Sequence, residues 1–227
     1  MQFDDMKKSL TNIILPVSTN SKKFVLIRNN LNEKYVVSMV GTPKYFCVGI
    51  IDIIDSTKTV AKLSQNKASR YYEIFLNIMA KTVNQFNAHI LKTMGDSLLF
   101  YFPDTCYNDR KFGFLSSIEC GFSLINAHTR LNYQLKEEYL PKIDFRISFD
   151  YGNVTIMKTV DSTIDLIGPT INICSKINTL AAKNEMIIGS DLHEQLKKFG
   201  EYKFKQSGSY PVDLKHPYPT YTVSRKN

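Results

Sequence analysis

Asp52 stands between two pairs of isoleucines, in Ile50-Ile51-Asp52-Ile53-Ile54. A lone carboxylate inside an apolar run is costly to bury unless something pairs with it, and a metal ion would do so. Asp96 lies in Met94-Gly95-Asp96-Ser97, between two apolar segments. A hairpin turning there, with its strands beside the strand of Asp52, would set the two carboxylates together. Paired carboxylates hold hard, oxygen-seeking cations such as Mg²⁺ or Mn²⁺ against phosphates. On residue types alone the alternative stays open that Asp52 ends a strand and Asp96 forms a turn. Farther along, Asn172 and Lys176 are four residues apart and so share one helix face, opposite Ile171, Cys174, Ile177 and Leu180. An amide and an ammonium there suit a ribose and a phosphate, or else are a solvated face of an amphipathic helix.

The elements that must position these residues are readable in outline. From Tyr45 the run FCVGII reads as a buried strand ending at Asp52. Asp55-Ser56-Thr57 reads as a helix cap, followed by a long helix with Tyr72, Phe75, Leu76, Met79, Val83 and Phe86 on its inner stripe. HILKTMGDSLLFYFPD is the hairpin, closed by Pro103. A second helix runs from Lys111 to Lys136 with Leu115, Ile118, Phe122 and Ile125 facing inward, and IDFRISFDYG is the next strand. Residues 152–167 read as further strand, GPTINICSKINTLAA as a helix, MIIG as a strand, DLHEQLKKF as a short helix, and the tail as two closing strands. This order predicts an α+β fold with a ferredoxin-like split βαβ core: a central antiparallel sheet, helices packed on one face, and extra C-terminal strands. Residues 1–42, with a short amphipathic opening and a Ser/Thr/Asn/Lys stretch, read as an N-terminal extension ahead of a domain at 43–227.

Composition narrows the class. The 227 residues are 43% hydrophobic and 22% charged, enough for one domain with a core. No apolar run approaches the ~20 residues of a membrane-spanning helix, and the first residues lack a secretory pattern, so a soluble cytoplasmic protein is expected. Cys47, Cys106, Cys120 and Cys174 show no CxxC spacing and read as small core hydrophobes; His89, His128, His193 and His216 show no ligand spacing. Lys+Arg 29 against Asp+Glu 21 gives +8, favouring an anionic partner. Nucleic acid is disfavoured, because no strand interleaves basic and aromatic residues.

Taken together and in order, IDIIDST, LKTMGD, FRISFDYG and DLIGPTINICSKI resemble the catalytic domain of class III nucleotidyl cyclases, the adenylate/guanylate cyclase family, over residues 44 to 224. The family's first motif, Phe-x-Asp-Ile-x-Gly-Ser/Phe-Thr, is followed by Ile50 to Thr57 except that Asp55 replaces the glycine. The resemblance implies Asp52 and Asp96 as metal ligands with the Ile53 carbonyl as an extra donor, and Ser56 and Thr57 as substrate contacts. Lys92 and Asp165 fall at the base-selecting positions. A lysine there can only donate, which matches the acceptor N1 of adenine, and an aspartate accepts from its exocyclic amine. Asn172 falls where the family orients the ribose, and Lys176 where it has an arginine on the phosphate under attack; lysine keeps the charge and loses the fork, so lower activity is expected. In DLKHPYPTYTV, Lys215 is implied as a contact for the β and γ phosphates.

The implied reaction is attack of the ribose 3′-hydroxyl on the α-phosphate of a nucleoside triphosphate, ATP first, giving the 3′,5′-cyclic monophosphate and pyrophosphate. Two Mg²⁺ or Mn²⁺ ions per site and a head-to-tail homodimer are implied with it; for residues 1–42 three roles stay open, packing on the dimer, a regulatory partner, or an adaptor. The alternatives are a cyclase acting on GTP or a pyrimidine nucleotide, and a silent nucleotide-binding module, the latter suggested by Lys176 and Asp55.

Overall fold

The fold comes from a computed structural model that describes residues 37–106, 110–159, 164–211 and 217–226. Its strands are β1 (Val37–Ile53), β2 (His89–Met94), β3 (Ser97–Phe102), β4 (Phe145–Thr159), β5 (Ile164–Ile167), β6 (Glu185–Gly189), β7 (Tyr202–Pro211) and β8 (Pro217–Arg225). The helices are α1 (Ser56–Val60), α2 (Gln65–Asn84), α3 (Lys111–Glu137), α4 (Pro169–Asn178) and α5 (Ser190–Leu196). They build one sheet in the order β2-β3-β1-β4-β6-β8-β7, with β5 paired to β4. Neighbours are antiparallel except β4 and β6, which the α4 crossover joins in parallel. β1 opens at Val37, upstream of position 43.

Helices cover both faces of this sheet rather than one. Cys47, Ile51 and Ile53 of β1 pack with Phe75 and Met79 of α2, Ile118 of α3 and Leu192 of α5. Phe46, Val48 and Ile50, the alternate residues of the same strand, pack with Cys174 of α4. The unbroken apolar run in β1 has this cause: a central strand buried on both sides needs no polar alternation.

Three local expectations are corrected. The segment after Asp55 is two helices, α1 and α2, with Ser64 at the N-cap position of the second but making no side-chain capping bond. The buried stripe of α3 is Phe114, Ser117, Ile118, Cys120, Gly121 and Leu124, turned by about one residue from the expected one; Leu115, Phe122 and Ile125 flank it, half-buried. Small residues bring the helix onto the sheet, since a Cβ at Gly121 would sit 2.1 Å from Sδ of Met186. Finally, α4 stops at Asn178, whose buried side-chain amide donates to the Ile50 carbonyl at 3.2 Å and to Oγ of Ser148 at 3.2 Å. Leu180, past that stop, is exposed.

Three cysteines are buried, with Cys106 half-buried, and burial pushes the thiols of Cys47, Cys120 and Cys174 well up. His128 binds Asp144 at 3.1 Å and His193 stacks on Tyr221; His216 lies outside the described residues. Among the described residues no helix is long and apolar enough to cross a membrane.

Candidate active site

Pairing along β1 fixes the first cluster. Asp52 is opposite Ser97 of β3 and Arg146 of β4. Because β3 is hydrogen-bonded to β1, the two-residue turn that starts it, Gly95-Asp96, lies beside the end of β1 that carries Asp52. Gly95 has φ 66°, which a glycine supplies at the first position of a tight hairpin turn without strain, and Ser97 Oγ closes the turn on the Met94 carbonyl at 3.1 Å. The Asp52 carboxyl is pushed up from its ordinary range first by burial and then by the negative charge of Asp96, against the pull of Arg146. The Ile53 side chain is buried in the core, which leaves only its backbone carbonyl for a cation. Of the next two residues, Ser56 is buried and Thr57 exposed.

Arg146 belongs to this cluster and the reading from residue types missed it. Its Nη2 donates to Asp52 Oδ2 at 3.1 Å and its Nη1 reaches the Thr179 carbonyl at 3.4 Å. Its Nε is buried without a hydrogen-bond partner. The available signal was a cation on the polar side of the alternating strand IDFRISF, where a central strand leaves it half-buried and in need of a partner.

The second cluster joins residues 73 apart: Lys92 Nζ donates to Asp165 Oδ2. Two irregularities build it. A register shift between Ile90 and Lys92 inserts one extra residue in β2, so that Lys92 pairs with Leu99 and is re-aimed. On the other side, β5 folds back on β4 with Asp165 opposite Met157, and Asp165 Oδ1 accepts the Leu166 N–H at 2.8 Å.

α4 carries the third group. The helix is seated by Thr170 Oγ1, which donates to the Asn153 carbonyl at 3.0 Å, and by buried Cys174 and Asn178. Asn172 and Lys176 are exposed on its opposite face. Their side chains make no hydrogen bond or ion pair among the described residues. The fold thus brings Asp52 beside Asp96 and Lys92 onto Asp165, and leaves Asn172 and Lys176 facing outward. Lys215 lies outside the described residues.

Asp52, Asp96 and the Ile53 carbonyl form an all-oxygen donor set of the kind that hard divalent cations prefer. Burial first, and then the charge of Asp96, push the Asp52 carboxyl up against the pull of Arg146. These residues therefore fit Mg²⁺ or Mn²⁺. No larger His/Cys/Asp/Glu cluster occurs among the described residues.

Comparison with known proteins gives a consistent picture. The family model for the adenylate and guanylate cyclase catalytic domain matches residues 40–225. A cytidylate cyclase of Staphylococcus aureus is 24% identical over 193 residues, covering 80% of this chain and 45% of that protein. A cytidylate cyclase of Escherichia coli is 24% identical over 208 residues, covering 85% and 43%. The chain thus spans less than half the length of these relatives. Among solved structures, the adenylyl cyclase CyaB from P. aeruginosa superposes with a TM-score of 0.72 at 20% identity, over 82% of this chain and 96% of that one. At that identity the likeness shows the fold.

Proposed function

From the fact that the chain belongs to the adenylate and guanylate cyclase catalytic domain family, we propose that it is a nucleotidyl cyclase that converts ATP to 3′,5′-cyclic AMP and pyrophosphate. The observation that carries this reading is the placement of Asp52 and Asp96 side by side next to Arg146. The ribose 3′-oxygen forms a bond to the α-phosphorus as the bond from that phosphorus to the β-phosphate oxygen breaks, and the hydroxyl proton passes to solvent. Asp52, Asp96 and the Ile53 carbonyl would hold two Mg²⁺ or Mn²⁺ ions, which when bound supply Lewis-acid polarisation of the hydroxyl and positive charge for the triphosphate. Arg146 adds a bidentate cation at the same strand end, suited to phosphate oxygens. Ser56 and Thr57 open α1, just past the turn; with Ser56 buried, the Thr57 hydroxyl is the better placed substrate contact. Lys215 fits the reading as a further phosphate contact.

Asn172 orients the ribose and Lys176 places charge on the phosphate under attack. Their outward face on α4, without a bond to Asp52 or Asp96, supports completion of each site by a second copy in a head-to-tail homodimer. In this reading residues 43–227 are the catalytic unit, residues 1–42 take a regulatory signal, and the reaction runs in the cytoplasm.

Base choice rests on Lys92 and Asp165. A donor beside an acceptor matches the N1 and exocyclic amine of adenine, and equally the N3 and exocyclic amine of cytosine, whereas guanine and uracil present an N–H and a carbonyl. CTP is therefore the second reading, supported also by the two relatives named cytidylate cyclase. Incubating the protein with Mn²⁺ or Mg²⁺ and each of ATP, GTP, CTP and UTP, with mass-spectrometric detection and an Asp52→Ala control, tests both. Cyclic AMP lost in the control supports the first reading, and cyclic CMP the second. Unconverted triphosphate at concentrations high enough to dimerise points to the silent module.

A further inference from the structure

Asp55 holds a backbone state that favours glycine, with φ 54° and ψ 28°. Its carboxylate makes no capping bond to α1. It instead accepts from Lys58 Nζ at 2.8 Å, in a pair whose side chains are both more than half exposed. Two more cations lie within its electrostatic reach, Lys183 and Arg146, and these with Lys58 hold its carboxyl below the ordinary range. Arg146 is the residue bonded to Asp52, and Lys183 stands ahead of β6, 3.8 Å from Asp144. Lys58 is thus the cation in contact with this carboxylate on the turn just past Asp52, while Arg146 and Lys183 are paired with other acids and act on it only at longer range. An exposed ion pair of this kind adds little to stability, so the fold itself gives no reason for an acid at a strained position.

Resting on the cyclase reading above, we propose that Asp55 sets substrate affinity: its carboxylate, on the turn just past Asp52, occupies Lys58 and competes for that cation with the triphosphate. Binding of substrate must first displace this internal anion, which keeps the site weak for triphosphates in general, whatever their base. Asp55 acts through Lys58 and is a positioning residue; the bond-making atoms do not touch it.

Two variants separate charge from backbone. Asp55→Asn keeps the size and the tolerance of the left-handed region and removes the charge, while Asp55→Glu keeps the charge. With the full chain and Mn²⁺, we expect Asp55→Asn to lower KM for the converted triphosphate, and the Kd for inorganic tripolyphosphate, by roughly five-fold, the upper end for one exposed charge contact. The kcat should move less than about two-fold, because the chemical step is untouched. Asp55→Glu should bind no tighter than the parent, and the gain from Asp55→Asn should shrink in high salt. An unchanged or higher KM and Kd in Asp55→Asn, with a parental melting temperature, overturns the proposal, as does an equal gain in Asp55→Glu. If the parent forms no cyclic product, the cyclase reading fails, and the tripolyphosphate titration still decides the role of Asp55.

Discussion

Lys92 on β2 and Asp165 on β5 bond to one another across 73 residues of sequence. Each is the other's partner while both remain partly accessible, so a nucleobase edge that offers an acceptor and an amine can replace both halves of the pair at once. Lys92→Glu reverses the first half. We expect kcat/KM for the preferred amino-edge triphosphate to fall by roughly 100-fold, the scale on which a mispaired polar group is rejected, with GTP affected much less. Steady-state kinetics on the four triphosphates read this out, and an unaltered ATP-to-GTP ratio would show that the pair does not touch the base.

Lys176, exposed on α4, offers a point charge where a planar fork would grip two phosphate oxygens at once. Lys176→Arg should therefore raise kcat, by about ten-fold, with little change in KM, because the gain is made only as charge develops. Lys176→Ala should lower kcat by roughly 100-fold. Equal kcat values for lysine, arginine and alanine at this position would remove it from the chemistry.

Much of this was legible from residue types and the rest was not, for identifiable reasons. Asp52 declares itself because a carboxylate among four isoleucines needs a partner, and Asp96 because Gly-Asp between two apolar runs is a turn. The bond between Lys92 and Asp165 depends on a one-residue bulge at Leu91 and on the return of β5 against β4, neither of which follows from alternation of polar and apolar residues. Arg146 escaped because alternation from Phe145 to Tyr151 puts it on one side with Ser148 and Asp150 but does not tell which strand, and so which carboxylate, stands opposite it. The face of α3 was misjudged for a related reason: Ser117 and Gly121, weak hydrophobes by type, are buried because the helix needs small residues to approach Met186. Asp55 was readable as a departure from the glycine of the family pattern, but not as a residue held in the left-handed region.

Among the described residues Arg146 is the only group that bonds the Asp52 carboxylate, and its buried Nε has no partner of its own. Arg146→Ala should raise KM for the triphosphate by about ten-fold, as expected for loss of one charge-assisted phosphate contact, and Arg146→Lys should recover part of that loss. A KM unchanged in Arg146→Ala, in protein that melts as a folded domain, would restrict Arg146 to holding the strand ends together.

The last prediction concerns Asp150, which the proposed chemistry does not use. It is buried in the middle of β4, and Tyr218 of β8 donates to both of its oxygens at 3.0 Å. The Tyr151 N–H donates to Oδ1 at 2.9 Å, and the Tyr218 hydroxyl in turn accepts the Asp191 N–H at 3.0 Å. Burial is the largest influence on the Asp150 carboxyl and pushes it up to about 7, with a further push from the charge of Asp191 and opposition from the Tyr151 and Tyr218 bonds. The folded state therefore keeps a proton that the unfolded chain releases near its ordinary value of about 4. Stability from this group is complete below about pH 4 and is lost progressively as the pH rises to about 7. Asp150→Asn removes the titration. The melting temperature of the parent, measured relative to that of Asp150→Asn, should fall by roughly 10 °C between pH 4 and about pH 8 and then level off. A difference between the two melting curves that stays constant over this range would mean that Asp150 is ionised throughout, its charge met by the tyrosine and backbone bonds alone.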